Sequence, residues 1–378
     1  MFFGNGAATV TWAAHIPHVR THLSLSDGQL GLIILCIAAG AVSAMIAAAP
    51  VSARYGPHRV TLWSAVALLV FVPIAVTAGS LWVLVPAGFA LGGAMGTMDV
   101  AMNAVAADVE HRRGRPVMSS FHGMWSLGSL FASLSAVAAY AWHVPPVTHS
   151  TVMAALVFVF ILPSLRALPP ATRGLGAADG LPKQSGRVRW PKGALLIIGV
   201  LAFVALATEG SVMDWSGVVL RDDFGASDSV ARWGLGAFSV AMTAFRFAGD
   251  AINRRVGPVM LVASGLGLAA LGLGLGMASG SVPVAVVGFA FMGAGLANAV
   301  PVLFTAAAAR GRTAAEGLSS IAVLGYVGFL VAPPTIGGLA ELTSLPTALG
   351  VVAVACALVT PFARVVAPAG DASRPTPR

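Results

Sequence analysis

The sequence predicts an all-α integral membrane protein of twelve transmembrane helices, arranged as two pseudo-symmetric six-helix bundles. Three observations carry this. Apolar residues make up 57% of the chain and charged residues only 10%, where a soluble domain carries about a quarter charged residues. A globule cannot hide that much apolar side chain, so lipid must be the solvent for most of the surface. The apolar residues also fall in runs of about 20, the length that crosses the hydrocarbon as a helix. Finally, two short patterns recur half a chain apart, the mark of an internal repeat.

Runs of this kind cover 1–19, 29–50, 58–79, 81–107, 117–140, 150–167, 193–214, 231–252, 258–279, 282–309, 317–340 and 346–366. The breaks fall at turn-forming punctuation such as Ser26-Asp27-Gly28, Tyr55-Gly56-Pro57, Val144-Pro145-Pro146 and Val256-Gly257-Pro258. Met1 to Pro17 lacks a basic leader and is followed by further spans, so it reads as the first helix and not as a cleavable signal. That run is short, and the expectation is either a start upstream of Met1 or a helix that begins below the interface.

Basic residues set the orientation. Eighteen of the 22 Lys and Arg fall at the side of the termini, among them Arg54, Arg59, Arg112, Arg113, Arg254 and Arg255. Arg20, Arg221 and Arg232 lie opposite, and Arg246 lies within a helix. The positive-inside bias therefore predicts a multi-pass membrane protein with both termini cytoplasmic. The net charge of +8 reflects these loops and does not point to nucleic acid. A polar, basic linker over 169–192 divides an N-terminal bundle, 1–168, from a C-terminal bundle, 193–367, and 368–378 forms a polar tail.

The repeat rests on Arg54-Tyr55-Gly56-Pro57 and Arg255-Val256-Gly257-Pro258, and on Gly93-Ala94-Met95-Gly96 and Gly293-Ala294-Gly295. Gly88, Gly92 and Gly96 share one face of the fourth helix, and Gly272 and Gly276 share one face of the ninth; such faces let membrane helices approach closely. Pro333-Pro334 should kink or break the eleventh helix.

Phe3-Gly4-Asn5-Gly6, Asp99-Val100-Ala101-Met102-Asn103, the FHG-x-WSLG stretch from Phe121 to Gly128, the EG-x-x-x-DWS stretch from Glu209 to Ser216, and Gly325-Tyr326-Val327-Gly328 carry a resemblance. Together they resemble the YbjJ-type bacterial permeases of the major facilitator superfamily and, more distantly, the fucose permease. The resemblance implies that superfamily's fold, solute transport and a bacterial cytoplasmic (inner) membrane. It also implies proton coupling through carboxylates of the first and fourth helices. Here the fourth helix has Asp99, but the first has Asn5 in place of an acid, and Ala53 stands where the loop after the second helix should be acidic.

An ionisable group in the bilayer costs about 2.5–3.5 kcal/mol on insertion scales and so needs a reason to be there. Asp99 and Asn103 lie four apart on one helix face. They read either as a proton or cation site with a hydrogen-bonding neighbour, or as one half of a structural ion pair. Glu209, in the outer half of the seventh helix, reads as a cavity or coupling group, and Trp215 as an interfacial anchor. His122 and Trp125 in the fifth helix, Asn5, and Asn298 near the repeat position of Asp99 complete the expected solute or proton pathway. His122 and Asn298 also fit plain packing and interhelical bonding. Arg54, Arg246, Asp250, Arg254 and Arg255 are expected to form conformational latches, with Arg246 and Asp250 paired at a four-residue spacing, and solute contact is the alternative reading of Arg246. Asp222 and Asp223 read as solvated.

The chain has neither a phosphate-binding G-x-x-x-x-G-K-[ST] loop nor an HExxH pair. Cys36 and Cys356 have no metal-ligand spacing. No enzyme, cofactor or metal is therefore expected. The expected partners are a small solute, a proton or other coupling ion and the bilayer, with the chain a monomer. A non-transporting receptor or sensor on the same scaffold stays as the alternative. Within transport, efflux of drug-like compounds or metabolites and uptake of sugar-like solutes are both open.

Overall fold

The computed structural model describes residues 1–113, 118–167, 192–311 and 314–367. The tail 368–378, and the linker expected over 169–192 apart from Lys192, lie outside the described residues. What is described is helix after helix. The N-terminal half comprises α1 (Phe2–His22), α2 (Asp27–Tyr55), α3 (Pro57–Val76), α4 (Leu81–Arg113), α5 (Met118–Ala141) and α6 (Pro146–Ala167). In the C-terminal half α7 (Ala194–Val218) runs into a π-helical turn, Val219–Asp223. After a short helix, Asp228–Ala231, one helical run covers Trp233–Ser279 and is divided at Gly257 into α8 (233–256) and α9 (258–279). Next, α10 consists of two segments, Val282–Leu296 and Ala299–Arg310, and is followed by α11 (Ala314–Leu342) and α12 (Leu345–Val359, extended by a 3-10 stretch, Thr360–Val366).

Local chemistry explains these limits. A reciprocal capping box starts α2, with Gln29 N–H donating to Ser26 Oγ at 3.2 Å and Ser26 N–H donating to Gln29 Oε1 at 3.0 Å. Gly56 (φ 85°) ends α2 and Gly257 (φ 78°) ends α8, each followed by a proline that opens the next helix. Only glycine adopts that backbone without strain, which is why the repeated Arg-x-Gly-Pro pattern marks a boundary.

The glycine faces are tight backbone contacts. A side chain at Gly92 in α4 would overlap the Ile37 carbonyl of α2, and one at Gly293 in α10 would overlap the Phe238 carbonyl of α8. One and the same offset along the chain relates the two pairs, so the repeat extends from sequence to packing. Gly272 and Gly276 of α9 meet Gly288 and Ala285 of α10.

Nine stretches among the described residues have the length and hydropathy of a membrane span. α1 falls short because it carries Asn5, His15, His18 and Arg20, and most of it is buried against other helices. At 21 residues it is nevertheless long enough to cross. The outer surface is apolar, with Leu275, Val354 and Leu358 more than half exposed. Trp82 (88% exposed) and Trp142 (78%) stand at helix ends on the face opposite the termini, as interfacial anchors do. Trp215 does not join them: it is fully buried, because its face of α7 turns into the protein. The expected break at Pro333-Pro334 is not seen either, and α11 stays helical through both prolines.

The discontinuity falls in α10, which breaks at Ala297–Asn298. Its cause is three residues on. Pro301 has no N–H, so the Ala297 carbonyl loses its helical donor four residues ahead.

Candidate functional site

A cavity lies between the two halves, lined from the first half by Val10 of α1 and by Trp125, Ser126 and Ser129 of α5. From the second half α7 contributes Glu209 and Met213, and α8 contributes a stripe that includes Ser239, Thr243 and Arg246. Its walls are mostly apolar, with one cation and one carboxylate among them.

Those two charges are arranged asymmetrically. Arg246 Nη2 lies 3.8 Å from Glu209 Oε1, with the arginine side chain 25% exposed and the glutamate side chain 9% exposed. Arg246 Nη1 donates to Ser126 Oγ at 2.8 Å, and Nε donates to the Ala297 carbonyl at 3.3 Å. That is the carbonyl freed by Pro301. One guanidinium therefore joins the other half of the molecule, the break in α10 and the buried carboxylate. Guanidinium carries five N–H donors, so it can make all three contacts and still present a face to the cavity.

The residues expected along the pathway divide into groups. Glu209 and Trp125 line the cavity. With the π-helical turn included, Glu209 sits near the middle of its helix and not in its outer half. The Trp125 ring faces the cavity while its Nε1–H donates to Asn5 Oδ1 at 3.0 Å. Asn5 Nδ2 in turn donates to the Met95 carbonyl at 3.2 Å, so Asn5 ties α1 to α4 and α5. Asp99 and Asn103 do meet on one face, Asn103 Nδ2 donating to the Asp99 carbonyl at 2.8 Å and to its carboxylate at 3.2 Å. They do not line the cavity among the described residues. His122 is exposed and sets its ring edge against Phe2 at 5.3 Å. Asn298 Nδ2 donates to the Phe245 carbonyl at 2.8 Å, bonding α10 to α8.

The latch set changes membership. Arg246 belongs to the cavity, because Ser126 and the freed carbonyl of Ala297 draw it there. The side chain of Asp250 lies outside the described residues. Arg54 is exposed and stacks on the Tyr55 ring at 5.2 Å, and Arg254 and Arg255 are also exposed. Among the described residues no carboxylate pairs with any of these three.

Ion pairs occur instead on the face opposite the termini, which the sequence reading missed. Arg20 of α1 pairs with Asp27 at 2.7 Å and also with Asp222 after α7. Asp222 is therefore not merely solvated: it accepts from Arg20 and from Arg221, the latter at 2.6 Å. Arg221 also donates to the Pro17 carbonyl. Glu341 of α11 accepts from Gly28 N–H of α2 at 3.1 Å. Each pairing between α1 and α7, or between α2 and α11, joins one half to the other.

Beneath this rim lies a buried polar chain. His149 Nε2 is 3.1 Å from Ser135 Oγ, His149 Nδ1 is 2.9 Å from His15 Nε2, and His15 Nδ1 is 2.8 Å from Tyr140 Oη. The Arg232 guanidinium stacks over the Tyr140 ring at 3.8 Å. The sequence did contain a signal: Arg20, Arg221 and Arg232 are basic residues on the side that should have few, and such exceptions need partners.

The family model of the Major Facilitator Superfamily matches residues 1–218. The chain is 35% identical over 367 residues to an uncharacterized MFS-type transporter of Yersinia pestis, covering 97% of this chain and 94% of that protein. It is 32% identical over 375 residues to membrane protein MosC of Rhizobium meliloti, covering 95% and 88%. Among solved structures, a D-xylose-proton symporter superposes with a TM-score of 0.74 at 14% identity, covering 96% of this chain and 95% of that one. The nucleoside transporter NupG gives 0.71 at 12% identity, covering 97% and 96%. With a family-model match over more than half its length and relatives at 35% and 32% identity along nearly all of it, the chain belongs to the Major Facilitator Superfamily.

Proposed function

We propose that the chain is a secondary active transporter of a small solute that works by alternating access. In this reading it lies in a bacterial cytoplasmic membrane with both termini inside, as bundles 1–168 and 193–367 joined by the 169–192 linker. One observation carries the reading. The cavity lies between the halves, and an ion pair and hydrogen bonds that join the halves gather on the face away from the termini. This arrangement is an inward-facing state, closed outside.

The Glu209–Arg246 pair supplies a coupling chemistry. While Glu209 is ionised it holds Arg246. A proton on Glu209 frees the guanidinium for solute and removes a buried charge before the halves move. Asp99, bonded to Asn103 nearby in α4, is the second candidate carrier. A gradient is an adequate energy source, since one charge crossing 100 mV yields about 2.3 kcal/mol. A proton-coupled neighbour in structure, the D-xylose-proton symporter, agrees with this reading.

Side-specific labelling tests it. In a background with Cys36 and Cys356 changed to serine, Ser239→Cys places one thiol in the cavity wall. A membrane-impermeant maleimide should modify it from the cytoplasmic side in inside-out vesicles and far less from outside. Arg20→Ala, which removes the ion pair with Asp222 that joins the halves, should raise labelling from outside severalfold. Equal access from both sides in the parent protein, or no change on loss of Arg20, would refute alternating access about this cavity.

A further inference from the structure

A second, narrow cavity continues the first toward the outer rim, with Met213 and Leu235 lining both. Ser216 of α7 and Arg232 ahead of α8 face into it. Arg232 is only 2% exposed. Its Nη1 donates to the Asp228 carbonyl at 3.1 Å and lies 3.7 Å from the Asp228 carboxylate. Its Nε and Nη2 are buried and have no hydrogen-bond acceptor among the described residues, and neither has the buried hydroxyl of Ser216 in the same wall.

A guanidinium does not give up its proton in a protein, and a buried charge with unmatched donors is among the costliest features a fold can carry. The surroundings do not cancel it. The Asp228 carboxylate is 60% exposed and lies on the rim side. Arg221 is a second cation nearby, and His15, which also feels Arg232, can add positive charge but never remove it. Tyr140 lies against the guanidinium with its ring and interacts with it through its hydroxyl, yet Nε and Nη2 still have no hydrogen-bond partner among the described residues. What the cavity flank of Arg232 lacks is an acceptor, and a planar fork of N–H groups is best matched by a carboxylate or a similar oxyanion.

We propose that Arg232 and Ser216 form an anion subsite at the outer end of the cavity, holding the carboxylate of a small organic acid or an oxyanion of the same shape. The anion accepts from Nε and Nη2 of Arg232 and from the Ser216 hydroxyl. Asp228 holds the same guanidinium from the rim side, so occupancy of the subsite bears directly on closure of the outer face. Placing the subsite on a solute pathway rests on the transport reading; anion binding itself does not.

The test uses the full chain purified in detergent at fixed pH and ionic strength. The probes are sodium acetate, sodium benzoate and sodium nitrate, with benzamide as the uncharged counterpart of benzoate. An anion that binds the folded chain raises its thermal midpoint in a saturable way. Acetate and benzoate should do this in the parent protein, not in Arg232→Met, and more weakly in Ser216→Ala. General salt effects act on all three proteins alike and cancel in the comparison. If Arg232→Met does not fold, Arg232→Lys and Ser216→Ala decide, each retaining a weakened response. Saturation by nitrate without the carboxylates keeps the anion subsite and assigns it to a free inorganic anion instead of the acid group of a solute. The proposal is overturned if no anion saturates, if the shifts are equal in parent and variants, or if benzamide matches benzoate. A chain that passes here but fails the labelling test keeps the subsite and loses the transport reading.

Discussion

Arg246 shows how much one side chain can hold. It bonds to Ser126 in the other half, caps the Ala297 carbonyl and neutralises Glu209, which is nearly buried. Removing the arginine alone strands a carboxylate in a low-dielectric wall. Losing one partner of a buried pair costs about 3–5 kcal/mol, so Arg246→Met should lower the thermal midpoint by several degrees. Adding Glu209→Gln to Arg246→Met should recover much of that loss, because no buried charge is left over. The check is a double-mutant cycle by thermal unfolding, and additivity of the two changes would deny that these residues interact. Glu209 and Trp125 could be singled out from the sequence, since an acid or an indole in a span needs a reason, and both line the cavity. The partners of Arg246 could not. Its spacing to Asp250 offered a local pair, while its actual partners come from three other helices.

At the scale of the helix, the spans and their punctuation were legible because composition and turn chemistry are local. Gly56 and Gly257 end helices where the repeated Arg-x-Gly-Pro pattern said they should. The broken helix was harder to identify. Pro333 and Pro334 looked like the break, yet α11 tolerates them, while the single Pro301 opens α10 because an arginine across the interface takes up the freed carbonyl. That compensation is a tertiary fact and leaves no mark near Pro301. Pro301→Ala restores the missing donor and should let α10 run through Ala297 and Asn298. The expected result is equal or higher thermal stability with severalfold slower gain of outside labelling at Ser239→Cys when Arg20 is removed. An unchanged labelling rate would mean the break is incidental. The glycine contacts give a contrasting outcome. Gly92→Val and Gly293→Val each force a side chain into a neighbouring carbonyl, and each should lower yield and thermal midpoint clearly more than Gly267→Val, where a side chain would meet open space.

Across the whole molecule, the repeat is visible in sequence and in packing, but the closed face is not symmetric. The terminal side was expected to hold the latches, since basic residues gather there. The pairs described lie on the other face instead, where a few basic residues each find an acid. Positive-inside bias reports insertion and not function, so it could place Arg20, Arg221 and Arg232 on that face without revealing what they do there. Arg20 alone holds Asp27 and Asp222, and Glu341 reaches Gly28 across the halves. Among the described residues the rim is therefore held by polar contacts, whereas the glycine faces pack helices backbone to backbone.

Alternation about the central cavity is tested most directly by pulsed electron–electron resonance on the cysteine-replaced chain in lipid nanodiscs, with spin labels at Leu23→Cys and Ser227→Cys on the outer rim. The parent protein should give mainly one short distance, and Arg20→Ala should move a large part of the population to a longer second distance. A single distance that is the same in both proteins would contradict a rim that opens, and with it the account of this chain as two halves rocking about a shared site.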